Sequence, residues 1–562
     1  MAPTTWSWRF AVTTTLGVWL FLVATTPGIP LVWDEAEYLY RAEEVSQWFQ
    51  RVANSSSLRD TIESFSEATI RRQWLFTIYS EGHPAWFSIP IILSRAAFSD
   101  LLSPLIAARI GPITIFSLAC GFVAIRLKKD YGSLAAIVGP VALVTFQRIF
   151  SHAHFATLDG QLTAWWLILW AVGSSLSSSN RASIVIGIIA GLTSATKFTG
   201  WLSWVPLVLF HILKQNPVKW RWIAMTVAVG LLTFCLVNPP MWHSPIDGLV
   251  THFQLNLTRT ASNNNIPTFF LGQCYDLLST LPWHNTLTWL LITTPLPTLV
   301  LGFIGFFYCL RTACISKVTS EAARSTQAVS TALLLHWATL MILRALPGAP
   351  PHDGIRLFLP SFGLWCLLAG IGAQRTWDMV IPLTLWRKRI AHCIIWAALI
   401  GAGVNLARYY PQNLSHYNLL VGGVRGASQL GMEPTYWWDA LDNDALSWLN
   451  TNTTPGSAVA FSRLSANNLS RLQEWGHLQV DTTNPDEENF QWYVMQNRQS
   501  LFDAVERTLF NSTKPVYVSY AGHLGENVDQ DLQVPLLMVF SADQYNEALL
   551  DSRTDQQGVG CR

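Results

Sequence analysis

Charge is what this chain of 562 residues lacks most. Only 13% of its residues are Asp, Glu, Lys or Arg, against about a quarter in an ordinary soluble domain. Half of the residues are hydrophobic and the mean hydropathy is positive, so the composition reads as a polytopic membrane protein. The formal net charge is only +1, with no basic patch or binding motif, and nucleic acid is not expected as a partner. The eight cysteines are scattered, most of them in apolar runs (Cys120, Cys235, Cys309, Cys366, Cys393). With no CxxC pair, neither a zinc site nor a disulfide framework is implied. Also missing are a Walker loop, a dinucleotide fingerprint, a zincin helix and a Ser-His-Asp pattern. Nothing resembles a soluble nucleotide-sugar domain, and no internal repeat appears.

What is present is a series of apolar runs. The first, about Phe10 to Pro27, follows Arg9 and has no small-residue cleavage site after it, so it reads as a retained span. A polar loop over about 32–84 carries two amphipathic stretches, Ala36–Val52 and Leu58–Trp74, of the kind that lie in the interface. Ala85–Phe98 is short and interrupted by Pro90 and Arg95, which suits an interfacial or re-entrant helix. Further spans are expected at about 104–126, 133–152, 160–177, 182–197, 199–213, 220–238, 286–310, 329–347, 356–373 and 390–407. That makes about eleven with the first, in a range of ten to thirteen, because the pair around Lys197 could be one broken helix. The basic loops, such as Arg126–Lys129, Arg181, Lys214–Arg221, Arg311–Arg324 and Arg375–Arg389, alternate as the positive-inside rule requires if Ala85–Phe98 does not span.

That topology puts nearly every unusual polar motif on the outer side. Residues 1–409 form the membrane domain, with outer loops at 32–84 and 239–284. Residues 410–562 turn polar, with strand-like and helical runs in alternation, and read as an extracytoplasmic α/β domain to which the sequence assigns no chemistry.

The stretch Trp33-Asp34-Glu35-Ala36-Glu37-Tyr38 leaves the first span with adjacent carboxylates. Ionisable groups at a membrane surface are functional candidates, and a carboxylate there can serve as a general base. The alternative is a polar stop with an acidic helix start. Glu81-Gly82-His83-Pro84 closes the loop, so that His83 either binds a phosphate or metal at a helix N-terminus or only opens the helix. Asp159, after His152 and His154, heads a span as a functional carboxylate or a plain cap. Lys197, in Thr196-Lys197-Phe198-Thr199-Gly200, either pairs with an anionic headgroup or snorkels. The second outer loop supplies His252, Asn256, Arg259, Asn263–Asn265, Tyr275 and Pro282-Trp283-His284-Asn285, a mixture of aromatic and hydrogen-bonding groups suited to sugars. His352-Asp353-Gly354-Ile355-Arg356 opens a late span, with Arg356 either in a salt bridge or on a phosphate.

In order, these motifs are an acidic pair after the first span, E-x-x-P, an Asp heading a later span, T-K at a broken helix, and P-W-H before the next span. The set resembles the integral-membrane GT-C glycosyltransferases, in the branch of protein O-mannosyltransferases and lipid A aminoarabinose transferases, over roughly residues 8–405. Tyr409–Tyr417 and Tyr436-Trp437-Trp438-Asp439 are similar to stretches of bacterial members with a periplasmic tail.

The resemblance implies an extracytoplasmic site, in a bacterial inner membrane, that moves a sugar from a polyprenyl-phosphate carrier to an acceptor hydroxyl on a lipid, glycan or protein, with inversion. It implies Asp34 as the catalytic carboxylate, Glu35 in support and Asp159 as a second acid. It implies Lys197 on the donor phosphate, with Arg259, Arg356 and His83 as helpers. Tyr275, Trp283, His284 and Asp353 are the expected substrate contacts. Glu81 and His284 are the candidate ligands of a divalent metal, the one cofactor considered. His83 stands where the family commonly has Lys, which leaves its role open. A secondary transporter would need paired repeats and mid-span charges. A non-catalytic assembly protein would have no need of Asp34, Asp159 and Lys197 together.

Overall fold

The computed structural model describes residues 5–74, 82–175, 179–214, 218–258, 266–315, 320–351, 354–380, 384–487, 489–521 and 533–554. The apolar runs fold as helices because hydrocarbon offers no water to bond backbone groups, and a helix satisfies its own. The order is α1 Thr5–Thr25, α2 Trp33–Ala53, α3 Leu58–Ser64, α4 Glu67–Gln73, α5 Ser88–Phe98, α6 Pro104–Asp130, α7 Ser133–Thr145, α8 Gln147–His154 and α9 Leu158–Gly173. Then come α10 Asn180–Thr196, α11 Trp204–Lys214, α12 Trp220–Leu236, α13 Pro245–Leu257, a hairpin of β1 Thr268–Phe270 and β2 Gln273–Tyr275, α14 Asn285–Thr293, α15 Leu296–Cys314, α16 Glu321–Ala345, α17 Leu359–Val380 and α18 Leu385–Tyr409.

This is a polytopic helical membrane fold with a small sheet near its C-terminus. Among the described residues, six helices are long and apolar enough to cross a membrane by length and composition, and a seventh if α7 and α8, bent by 76°, count as one. The sequence leads one to expect about eleven, and the difference lies in how the apolar runs break. Pro295 and Pro297 split the run at 286–310 into α14 and α15. Phe146 is extended between α7 and α8. The helices α9 and α10 have only 16 and 17 residues, short of the roughly 20 that hydrocarbon requires. α15 and α17 pack through glycines. An added Cβ at Gly305 would sit 1.9 Å from the Leu368 carbonyl oxygen, and one at Gly372 would sit 1.9 Å from that of Leu301, which is the close approach small residues allow.

The polar loop after α1 folds into α2, α3 and α4, the latter two capped by Ser57 and Ser66. The N-terminus of α2 is fixed by a fully buried ion pair. Arg109 of α6 donates to both carboxylate oxygens of Glu35, through Nε at 2.8 Å and Nη2 at 2.6 Å, and neither side chain is exposed. The Ile29 and Pro30 carbonyls accept from Arg109, each at 2.7 Å, and the Ala156 N–H donates to Glu35 at 2.7 Å. One guanidinium thus ties the first loop to α6 and to the turn before α9.

Beyond α18, a five-stranded mixed sheet is assembled. With β3 Ala458–Phe461, β4 Asp481–Thr483, β5 Phe490–Gln496, β6 Tyr517–Tyr520 and β7 Pro535–Ser541, its order is β4-β3-β5-β7-β6. β3 pairs in parallel with β4 and β5, and β7 pairs antiparallel with β5 and β6. This part grips the loop after α1. The Asn468 side chain donates to the Val32 carbonyl at 3.0 Å, the Trp33 N–H donates to the Trp437 carbonyl at 2.9 Å, and Arg471 pairs with Glu43.

Removing one partner of a buried pair strands the other charge, at a cost of about 3–5 kcal/mol. Arg109→Met is therefore expected to lower the melting temperature of the purified protein in detergent, and Glu35→Gln with Arg109→Met to recover most of that loss. A double variant no more stable than Arg109→Met would show that the guanidinium acts through its carbonyl contacts alone.

Candidate functional site

Asp34 is the second residue of α2. Successive helical residues are about 100° apart around the axis, so the pull of Arg109 on Glu35 turns Asp34 toward a different neighbour. That neighbour is Arg356, in the short 3-10 turn Arg356–Phe358 that leads into α17. Arg356 Nη2 lies 2.5 Å from Asp34 Oδ2, and Nε lies 2.8 Å from Asp159 Oδ2. Asp159 is the second residue of α9. The next residue, Gly160, lets that first turn lie against the α8 backbone, where a Cβ would sit 1.9 Å from the His152 carbonyl oxygen. The other oxygen of Asp159 accepts from Lys197 Nζ at 2.6 Å. Lys197 has an extended backbone at the break between α10 and the 3-10 turn Phe198–Ser203.

Four residues drawn from four separate stretches thus form a line of alternating charge: Asp34, Arg356, Asp159 and Lys197. A buried carboxylate needs such partners. Side-chain exposure is highest at the Asp34 end and lowest at Asp159. Asp159 is 1% exposed, Lys197 10%, Arg356 11% and Asp34 32%. Asp34 is the member open to an incoming ligand, and the two cations stand behind it. The arrangement can offer an accessible carboxylate to a proton donor and two cations to an anion that displaces the carboxylates from them.

The other expected residues are placed as follows. Glu35 is spent on Arg109. His83 is buried, and its neighbour Gly82 accepts at its carbonyl from the Asn256 side chain at 2.8 Å. Tyr275, Trp283 and His284 cluster around the hairpin and the start of α14. The Tyr275 hydroxyl donates to Gln273 at 2.8 Å, Trp283 is 72% exposed, and His284 Nδ1 lies 3.2 Å from the Thr288 hydroxyl. Arg259, Asp353 and Glu81 lie outside the described residues. Among the described residues no group of three His, Cys, Asp or Glu gathers to hold a metal. Cys274, in β2, is disulfide-bonded, which the scattered cysteine spacing does not foretell.

Three contributors escape a reading of the sequence. Arg109 and Arg148 are lone cations inside apolar runs, a signal that intramembrane charges carry. Trp437 gives no such signal. Its ring stacks on the Arg356 guanidinium at 3.6 Å and meets His152 edge-on at 5.2 Å. Trp437 and Trp438 both have left-handed backbones, with φ of 61° and 63°, a conformation that costs on the order of 1–3 kcal/mol each outside glycine. The Trp33 N–H holds the first and Gln496, accepting from the Trp438 N–H at 2.9 Å, holds the second.

No family model matches the chain, and no curated protein matches it. Solved structures similar to it include that of ArnT from Cupriavidus metallidurans bound to undecaprenyl phosphate, at 15% identity over 97% of this chain and 99% of that one, with a TM-score of 0.48. Another is archaeal oligosaccharyltransferase AglB from Archaeoglobus fulgidus in complex with an inhibitory peptide and a dolichol-phosphate, at 12% identity over 96% of this chain and 77% of that one, with a TM-score of 0.49.

The strained turn ends at Asp439, whose Oδ1 accepts from the Thr435 hydroxyl at 2.7 Å while Oδ2 is buried without a partner. Burial pushes this carboxyl up to about 7, against the pull of the Thr435 hydrogen bond and of the Arg148 charge. The folded chain then holds a proton that the unfolded chain releases near its ordinary value of 3.8. Asp439 therefore lowers stability progressively as pH rises from about 4 to about 7, by about 1.4 kcal/mol per unit at most. Asp439→Asn is expected to match the wild type near pH 4 and to melt at a higher temperature at pH 8. Parallel melting curves across that window would show that Asp439 is ionised in the fold.

Proposed function

We propose that the chain is an integral-membrane glycosyltransferase of the GT-C kind. In this reading it moves a sugar from a polyprenyl-phosphate carrier to the hydroxyl of a lipid, glycan or protein acceptor at the outer face of a bacterial inner membrane. The observation that carries the proposal is the line Asp34, Arg356, Asp159, Lys197, with its one open carboxylate and its two cations behind.

The chemistry follows from that order. A polyprenyl-phosphate donor is a lipid, so its phosphate enters at the membrane boundary and competes with the carboxylates for Lys197 and Arg356. Occupation of Arg356 by phosphate frees Asp34 to accept the proton of the acceptor hydroxyl. The acceptor oxygen then bonds to the anomeric carbon as the bond from that carbon to the phosphate oxygen breaks. The electron pair leaves with the phosphate, whose growing charge Lys197 and Arg356 neutralise. Displacement from the opposite face inverts the anomeric centre. It needs one carboxylate as base, not the close pair of a retaining glycosidase. Asp159 stays between the two cations and fixes their spacing. The disulfide at Cys274 supports an extracytoplasmic second loop, since disulfides persist in oxidising compartments.

The test is sugar transfer from a panel of synthetic polyprenyl-phosphate sugars by the purified protein. Asp34→Asn is expected to lose about 10²–10⁴-fold in turnover, with carrier-phosphate binding kept. Lys197→Met is expected to weaken binding of the carrier phosphate itself. Turnover indifferent to Asp34, or no turnover with any donor, would remove the base and return Asp34 to the role of a polar stop.

A further inference from the structure

Arg148, the second residue of α8, is 2% exposed. Its guanidinium is caged by Tyr417 at 4.7 Å, Trp289 at 5.4 Å and Tyr436 at 5.5 Å. Its Nε donates to the His416 carbonyl at 3.3 Å, and its Nη2 is buried with no hydrogen-bond partner. The ion pairs of this region use Arg109, Lys197 and Arg356, and among the described residues no carboxylate lies within ion-pair distance of Arg148. Asp439 and Glu433 are the acids of the same neighbourhood. Burial pushes Asp439 up to about 7, so that it is only partly ionised at pH 7, and Glu433 spends Oε1 on the Phe269 and Ser500 N–H groups.

Aromatic faces attract a cation, but they cannot accept along the N–H directions of a guanidinium, and a buried charge without a counter-ion is costly. Arg148 also lines a small cavity, with His152, Arg356, Tyr436 and Trp437. His152 Nδ1 is a second buried polar atom there without a partner. Arg356, on the far wall, is committed to two carboxylates, whereas Arg148 is committed to none. The cavity thus has a positive charge outside any ion pair and an unused donor, Arg148 Nη2, beside the proposed donor-phosphate site. Through Trp289, whose ring lies 5.9 Å from that of Phe270, it borders the hairpin that carries Tyr275.

We infer that Arg148, assisted by His152, is a second anion-binding site, which takes a phosphate or carboxylate distinct from the phosphate held by Lys197 and Arg356. The inference rests on the transferase reading only in naming the first phosphate. The second anion is either the outer phosphate of a diphosphate-linked donor or an acidic group on the acceptor. Both present the same chemistry to a guanidinium, and binding experiments separate them.

The experiment uses the full chain in detergent, with geranylgeranyl monophosphate, geranylgeranyl diphosphate and inorganic phosphate as probes. If the donor supplies the second anion, diphosphate binds about tenfold or more tightly than monophosphate, and Arg148→Met removes the difference. If the acceptor supplies it, the two lipids bind alike. Inorganic phosphate, added at saturating monophosphate, then raises the melting temperature of the wild type but not of Arg148→Met. In either case Arg148→Met keeps its Lys197-dependent monophosphate binding, which also reports that it folds, and melts at or above the wild-type temperature without ligand. Arg148→Lys keeps the charge and is expected to keep a reduced anion effect, which gives a second reading should the Met variant fail to fold. A wild type with no diphosphate preference and no response to inorganic phosphate overturns the inference, as does an anion effect that survives in Arg148→Met. Loss of monophosphate binding in the wild type, by contrast, would strike at the transferase reading.

Discussion

The charged cluster hangs on one carboxylate that the fold has taken out of water. Asp159 is held between Lys197 and Arg356, and no two of the three come from the same stretch of chain. The head of α9, the break after α10 and the turn before α17 meet at this carboxylate, which bonds to both cations. Desolvating such a group is expensive, and the attraction repays it only where geometry is good and both oxygens are used. Both are used here. Arg356 then has one arm left for Asp34, so the most exposed acid of the cluster is positioned by the most buried one.

The Glu35–Arg109 pair performs a parallel task for the first loop. It is a full bidentate pair without exposure, further satisfied by carbonyls and an N–H, and it sets the rotation of α2. The adjacent acids Asp34 and Glu35 therefore divide their work. One anchors the helix and the other is left partly exposed, on Arg356. Sequence order alone gives no means of telling which does which, since the decision lies in an arginine of another helix.

The candidate cluster was legible in the sequence to the extent that its members carry charge where hydrocarbon forbids it. Asp34, Asp159, Lys197 and Arg356 all interrupt or border apolar runs, and all four converge. The break at Lys197 was readable too, from a cation between two short apolar stretches. What could not be read is what depends on tertiary geometry. Pro295 and Pro297 divide a run that hydropathy joins, and Phe146 bends another run away from its one proline, Pro140. Arg148 sits in the bent part, where a hydropathy window counts it as a tolerated charge in a span. The role of Trp437 is hidden, although its stretch carries the tail's resemblance, since its contact with Arg356 depends on two consecutive left-handed residues that no propensity favours.

The hydrogen bond from Trp33 to the Trp437 carbonyl joins the start of the loop after α1 to the tail. Arg356 acquires its stacking partner, and the Arg148 cavity one of its walls, only from residues that follow the last membrane helix. On a ribosome those residues emerge after every span has been inserted. The helices can be in place while the cavity still lacks a side. Completion of the cavity thereby depends on residues that follow the last described span, not on the spans alone. A nascent or truncated chain would hold its Asp34 and Lys197 without the wall that Trp437 supplies.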